Sequence, residues 1–94
     1  MSHGTARLVG VVTGMVQGVS FRWFTQRRAQ DYGVTGYVRN LPDGGVEFVA
    51  EGLRADLERL LDVVRVGPAA AVVENVETVW TSATGEYVRF EIRF

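Results

Sequence analysis

Few side chains in this sequence are placed to do chemistry, and the most suggestive sit in one run. Residues 14–22 read Gly-Met-Val-Gln-Gly-Val-Ser-Phe-Arg, a glycine-bounded loop leading from a strand into a helix N-terminus. Helix N-termini present unpaired backbone N–H groups and the positive end of the peptide dipole, so a loop of this kind suits an anion. It lacks the Gly-Lys-Ser/Thr ending of a nucleotide loop and the spacing of a dinucleotide fingerprint, and on pattern alone an ordinary connector explains it equally well. Arg22 sharpens the case. A cation in the first helical turn opposes the dipole by about 0.3–1 kcal/mol, and no Asp or Glu occupies that turn to offset it. A bound anion would resolve the conflict, and guanidinium is suited to bidentate phosphate contacts. The bland alternative is an arginine leaning into solvent.

Asn40 is the second candidate. It closes a strand-like run just before Pro42-Asp43-Gly44, where asparagine commonly starts a turn by bonding nearby backbone, and taken alone that is its first reading. An amide can also accept from a water while donating to a phosphoryl oxygen, which suits a water-positioning residue if the fold brings Asn40 near Arg22. Other chemistries are thinly supported. The chain has no cysteine, which excludes thiol catalysis and thiolate metal sites, and its one histidine, His3, lies near a terminus. Asp43, Glu47 and Glu51 read as a turn residue and a solvated strand face rather than a magnesium site, so no metal and no cofactor are expected. Arg27 and Arg28 read as a solvated helix face rather than a means of recruiting an acidic substrate, and Trp23 and Trp80 as packing residues, with nothing in the sequence to support the alternative of recognising an acyl group.

Composition narrows the partners. All ten cations are arginines set against eleven carboxylates, for a net charge of −1, so there is no bulk positive field to hold a nucleic acid. No apolar run approaches the ~18 residues of a membrane span, and the first residues lack a secretory pattern. The expectation is a cytoplasmic protein with no membrane partner. Its 94 residues suit one domain, with residues 1–5 expected to be disordered.

The elements that must position these residues follow from periodicity. Ala6 to Thr13 is a β-branched strand, and Phe21, Phe24, Arg28, Ala29 and Tyr32 recur at helical spacing between a Ser20 cap and a Gly33 stop. Gly36 to Leu41 and Val46 to Glu51 form a hairpin around residues 42–45. Leu53, Leu57, Leu60, Leu61 and Val64 mark an amphipathic helix ended by Gly67-Pro68. Ala71 to Thr81 and Tyr87 to Phe94 read as two further strands around a turn at Thr84-Gly85. Strand, helix, strand, strand, helix, strand, plus one strand, predicts an α+β ferredoxin-like sandwich with two helices on one face of a mainly antiparallel sheet. In that fold the first two strands run parallel with the third between them, so their C-terminal ends share an edge about 10 Å apart. The 14–20 loop and Asn40 should meet there.

These residues resemble the acylphosphatase family. Its glycine-x-valine-glutamine-glycine-valine-x-phenylalanine-arginine loop stands here as GMVQGVSFR at 14–22, and its glycine-aromatic-valine-x-asparagine strand as GYVRN at 36–40 within GYVRNLPDGGVEFVAEG. The resemblance covers nearly the whole chain. It implies that Arg22 is the phosphate-binding and catalytic arginine, that Asn40 is the catalytic, water-orienting asparagine, and that Val16, Gln17, Gly18, Val19 and Ser20 cradle the phosphate. Ser20 stands where glycine is frequent and Tyr37 where tryptophan is usual. The implied substrates are small acyl phosphates such as carbamoyl, acetyl or bisphosphoglycerate-type anhydrides, with inorganic phosphate as product and competing ligand, handled by a monomer. The alternative is a non-catalytic module of the same fold that holds phosphate or an acyl phosphate. A ferredoxin-like RNA-binding module would need a basic sheet face, and the acidic run from Val46 to Glu51 argues against one.

Overall fold

A computed structural model describes residues 4–94 and contains seven elements: β1 (Thr5–Met15), α1 (Phe21–Asp31), β2 (Thr35–Asn40), β3 (Val46–Leu53), α2 (Arg54–Val66), β4 (Val72–Thr81) and β5 (Phe90–Arg93). The disorder expected over 1–5 falls, for residues 1–3, outside the described residues, and Thr5 opens β1. The strands form one sheet in the order β4-β1-β3-β2-β5. β3 pairs antiparallel with β1 on one side and with β2 on the other, so β1 and β2 run parallel with one strand between them, as the ferredoxin-like reading requires.

Alternation along the strands decides what is buried. Leu8 and Val12 of β1, Val38 of β2, Val46, Phe48 and Ala50 of β3, and Phe90 of β5 point to one face. There they pack against Phe21 and Ala29 of α1 and Leu57, Leu60, Leu61 and Val64 of α2. The apolar stripe of α2 is the one its spacing predicts from Leu57 onward, but Leu53, expected to begin it, ends β3 and is exposed. That of α1 differs. Phe21, Thr25 and Ala29 are its buried positions, whereas Phe24 is half-buried and Arg28 is exposed with its guanidinium 5.6 Å from the Phe24 ring centroid. Counting from Phe21 in steps of four selects a threonine, which a purely apolar pattern passes over.

The last two strands do not turn back on each other. β4 pairs with β1 at one edge and β5 pairs parallel with β2 at the other, so residues 82–89 are a crossover spanning the end of the sheet. The strand at 90–93 is correspondingly shorter than its alternation suggests. Glu51 holds this crossover and corrects the expectation of a solvated carboxylate. Only 4% of it is exposed. It accepts hydrogen bonds of 2.9 Å from the Thr84 N–H and 2.9 Å from the Gly85 N–H, with the Thr84 hydroxyl also at 2.9 Å and Arg7 Nε at 3.4 Å. Burial alone would push its carboxyl up, but the hydrogen bonds from Thr84 and Gly85 and the charge of Arg7 outweigh it and hold the group below its ordinary value.

Because the folded-state value is depressed, the stabilisation is present at neutral pH and is lost as pH falls below the ordinary 4.5 and through the folded value. Glu51→Gln is therefore expected to cost about 1–3 kcal/mol at pH 7. The gap from wild type should narrow on acidification when both are unfolded with denaturant across a pH series. A gap that does not change with pH would sink this account.

Candidate functional site

The parallel course of β1 and β2 brings the 16–20 loop and Asn40 to the same edge of the sheet. At the end of β1 the register with β4 shifts between Thr13 and Gly14, a bulge after which Gly14 and Met15 still pair with Val73 and Val72 before the chain leaves the sheet. Gly14 takes φ 126°, and a Cβ there would run into the Val72 carbonyl, so the bulge is available to glycine alone. Two residues of the loop then adopt the left-handed region, Gly18 at φ 74° and Ser20 at φ 63°. Such reversals turn successive N–H groups into a concavity. No hydrogen bond among the described residues occupies the N–H of Gly18, Val19 or Ser20.

Ser20 does stand at the cap of α1, and its carbonyl accepts the Phe24 N–H at 2.9 Å, but its hydroxyl makes no capping bond. With no acid in the first turn either, the leading N–H groups of α1 stay open toward the loop. Arg22 lies over this end. One guanidinium nitrogen, Nη1, donates to the Arg93 carbonyl at 3.3 Å, and its carbon sits 4.7 Å from the Phe94 ring centroid.

Asn40 is half-buried, on the same face of β2 as the core residue Val38, and its backbone pairs opposite Val46. The turn chemistry that its position suggested belongs to other groups. Asp43 Oδ1 accepts the Gly45 N–H at 3.0 Å, Leu41 N–H bonds the Gly45 carbonyl at 2.8 Å, and Gly44 N–H bonds the Leu41 carbonyl at 3.2 Å. The Asn40 side-chain amide has no partner among the described residues.

A cavity of about 180 Å³ opens between these parts, lined by Val16, Gly18, Ser20 and Arg22 on one side, Asn40 on another, and Trp23, Ile92 and Phe94 beyond. Of the residues singled out in the sequence, Val16, Gly18, Ser20, Arg22 and Asn40 reach it. Val16 is itself a core residue, and Gln17 and Val19 are not among the lining. Trp23 is 56% exposed and forms part of the cavity wall, which corrects its assignment to packing. Ile92, Phe94 and the Arg93 carbonyl were not foreseen. Alternation shows that residues near the C-terminus form a strand but not that the strand lies beside β2, and it is the parallel β2–β5 pairing that carries its end to this edge. The cavity thus offers a guanidinium, open backbone N–H groups, an unpaired amide and an apolar wall, with no carboxylate among its lining. Those groups suit a phosphoryl dianion joined to a less polar group.

The chain is similar to known acylphosphatases. The acylphosphatase family model matches residues 8–92. An acylphosphatase of Thermobifida fusca is 48% identical over 87 residues, covering 93% of this chain and 96% of the relative. One from Salinibacter ruber is 46% identical over 94 residues, covering 99% of each. Among solved structures, the acylphosphatase of Bacillus subtilis superposes with a TM-score of 0.92 at 31% identity, covering 95% of this chain and 99% of that one.

The left-handed Ser20 makes a testable point. Its hydroxyl caps nothing, so Ser20→Gly should relieve a strained backbone without loss, raising stability by roughly 0.5–1 kcal/mol in denaturant titrations. A decrease of about 1 kcal/mol, the usual effect of losing a cap, would show that the hydroxyl serves α1 after all.

Proposed function

This chain belongs to the acylphosphatase family, and we propose that it hydrolyses small acyl phosphates by direct attack of a water placed by Asn40 on a phosphoryl group held by Arg22 and the 16–20 backbone. The activity itself, cleavage of an acyl phosphate to a carboxylate and inorganic phosphate, follows from the family. The assignment of roles rests chiefly on one observation. Asn40 is left with an unused side-chain amide on a cavity that it shares with Arg22 and the open N–H groups of the loop.

In this reading the phosphoryl oxygens accept from the N–H groups of Gly18 to Ser20 and from the first turn of α1, while the Arg22 guanidinium takes two of them in a bidentate contact. Arg22 is already oriented by the Arg93 carbonyl and the Phe94 ring, so little ordering remains on binding. Asn40 accepts a hydrogen bond from the water through Oδ1 and donates one from Nδ2 to a phosphoryl oxygen, which fixes the line of attack. The water oxygen bonds to phosphorus as the bond from phosphorus to the acyl oxygen breaks. The carboxylate leaves as an anion without needing a strong acid, and the water proton passes to a phosphate oxygen of the substrate. Charge stabilisation by Arg22 and the fixed N–H dipoles supplies the main acceleration, and no metal or side-chain base enters the scheme. The same reading treats residues 1–94 as one domain acting as a cytoplasmic monomer, and among the described residues no helix is long and apolar enough to cross a membrane.

Hydrolysis of benzoyl phosphate in the presence of a chelator, with inorganic phosphate as competitor, separates the roles. Asn40→Ala should lower kcat by about 10²–10³-fold while weakening phosphate inhibition far less. Arg22→Ala should weaken phosphate inhibition and turnover together. An Asn40→Ala enzyme with wild-type kcat would refute the water-placing role, and undiminished phosphate inhibition in Arg22→Ala would refute the phosphate-holding one.

A further inference from the structure

Gln17 lies in the middle of the phosphate loop, yet its side chain turns away from the cavity. Its amide nitrogen sits 2.7 Å from the Leu41 carbonyl and 2.8 Å from the Gly45 carbonyl. Both neighbours are acceptors, so only the NH2 side of the amide satisfies them, and its two hydrogens are both consumed. The remaining amide atom, Oε1, is an acceptor and offers nothing to a phosphate oxygen. Gln17 therefore has only its backbone N–H for an anion.

The two carbonyls are the mouth of the turn that follows Asn40. The Leu41 carbonyl otherwise receives the Gly44 N–H, and the Gly45 carbonyl receives the Leu41 N–H. One of these residues directly follows Asn40 and the other directly precedes Val46, its partner in the ladder. β1 and β2 share no ladder of their own, because β3 lies between them. Beyond the paired residues the loop after β1 and the turn after β2 would be free to shift relative to each other. The Gln17 amide spans that gap at its open end.

We propose that Gln17 is a positioning residue, a strut that sets the distance between the phosphate-binding N–H groups and the Asn40 amide rather than a phosphate ligand. This rests on the reading of Asn40 given above. With the strut removed, phosphate still binds on the loop and Arg22, but the water is held at a wrong distance from phosphorus.

The test replaces Gln17 by methionine, similar in shape without donors, alone and with Asn40→Ala, using benzoyl phosphate as substrate and inorganic phosphate as competitor. Gln17→Met should lower kcat roughly 10- to 100-fold, the effect of a displacement of about 1 Å. Phosphate inhibition should stay within about twofold of wild type, and in the Asn40→Ala background Gln17→Met should cost less than about twofold further. Phosphate inhibition that weakens in step with kcat would overturn the proposal, as would a full loss of kcat that persists without Asn40. Gln17→Asn, one methylene shorter, serves as the second variant, and loss of phosphate binding in both would overturn it too. Should Asn40→Ala alone keep wild-type kcat, the Asn40 reading fails and amide exchange decides the strut. Faster exchange of the Leu41 N–H in Gln17→Met supports it, and unchanged exchange overturns it.

Discussion

Strand β3 is hydrogen-bonded on both sides along most of its length, and the site depends on that pairing. Val46 stands opposite Val12 on one side and Asn40 on the other. The end of β1 and the end of β2 are thereby held one strand apart and pointing the same way, at a separation fixed by strand spacing rather than by any side chain. Phe48 and Ala50 of the same strand are fully buried against the helices, so the spacer is also the centre of the core. A sheet of this kind deforms little, because its pairing and its packing would have to be broken together.

Against this rigid frame, departures from local preference gather in one short stretch. Ser20 occupies a left-handed conformation that costs a residue with a Cβ roughly 1–2 kcal/mol. Arg22 faces the positive end of a helix whose first turn holds no acid, and the hydroxyl at the cap position does not cap. Asn40 leaves a turn's usual work to Asp43. Each is unfavourable or neutral for folding alone, and each leaves a donor or a cation pointing into one cavity. Departures of this kind tend to gather at functional sites, and here they share one cavity.

The far end of the sheet shows the opposite behaviour. There a carboxylate is buried, but Thr84, Gly85 and Arg7 supply its partners, so the cost of desolvation is offset within the fold. The segment it secures leads into β5, and the Arg93 carbonyl of that strand and the Phe94 ring just beyond it orient Arg22. The Glu51 carboxylate finds its hydrogen bonds within the protein, with Arg7 Nε adding a 3.4 Å ion pair, whereas the Asn40 amide and the loop N–H groups have no partner among the described residues.

The amino-acid order alone carried the element sequence, the α2 stripe from Leu57 to Val64, the ferredoxin-like topology and the meeting of Arg22 and Asn40 at one edge of the sheet, because these depend on periodicity, turn residues and long motifs within short stretches of chain. It misjudged what depends on distant neighbours. Glu51 alternates like a solvated residue, and Trp23 carries no local sign of its exposure. The alternation near the C-terminus fits a strand on either edge of the sheet. Whether Asn40 serves its turn or a ligand, and whether Gln17 faces the phosphate or the Leu41 and Gly45 carbonyls, cannot be read from spacing. Hydrogen-bond partners 24 and 28 residues apart are chosen by how the sheet brings its ends together. The sequence by itself determined which donors and cations stand in the loop and at the strand end, and only the tertiary structure decided which of them are left without a partner, because each donor's partner is set by contacts remote in the chain.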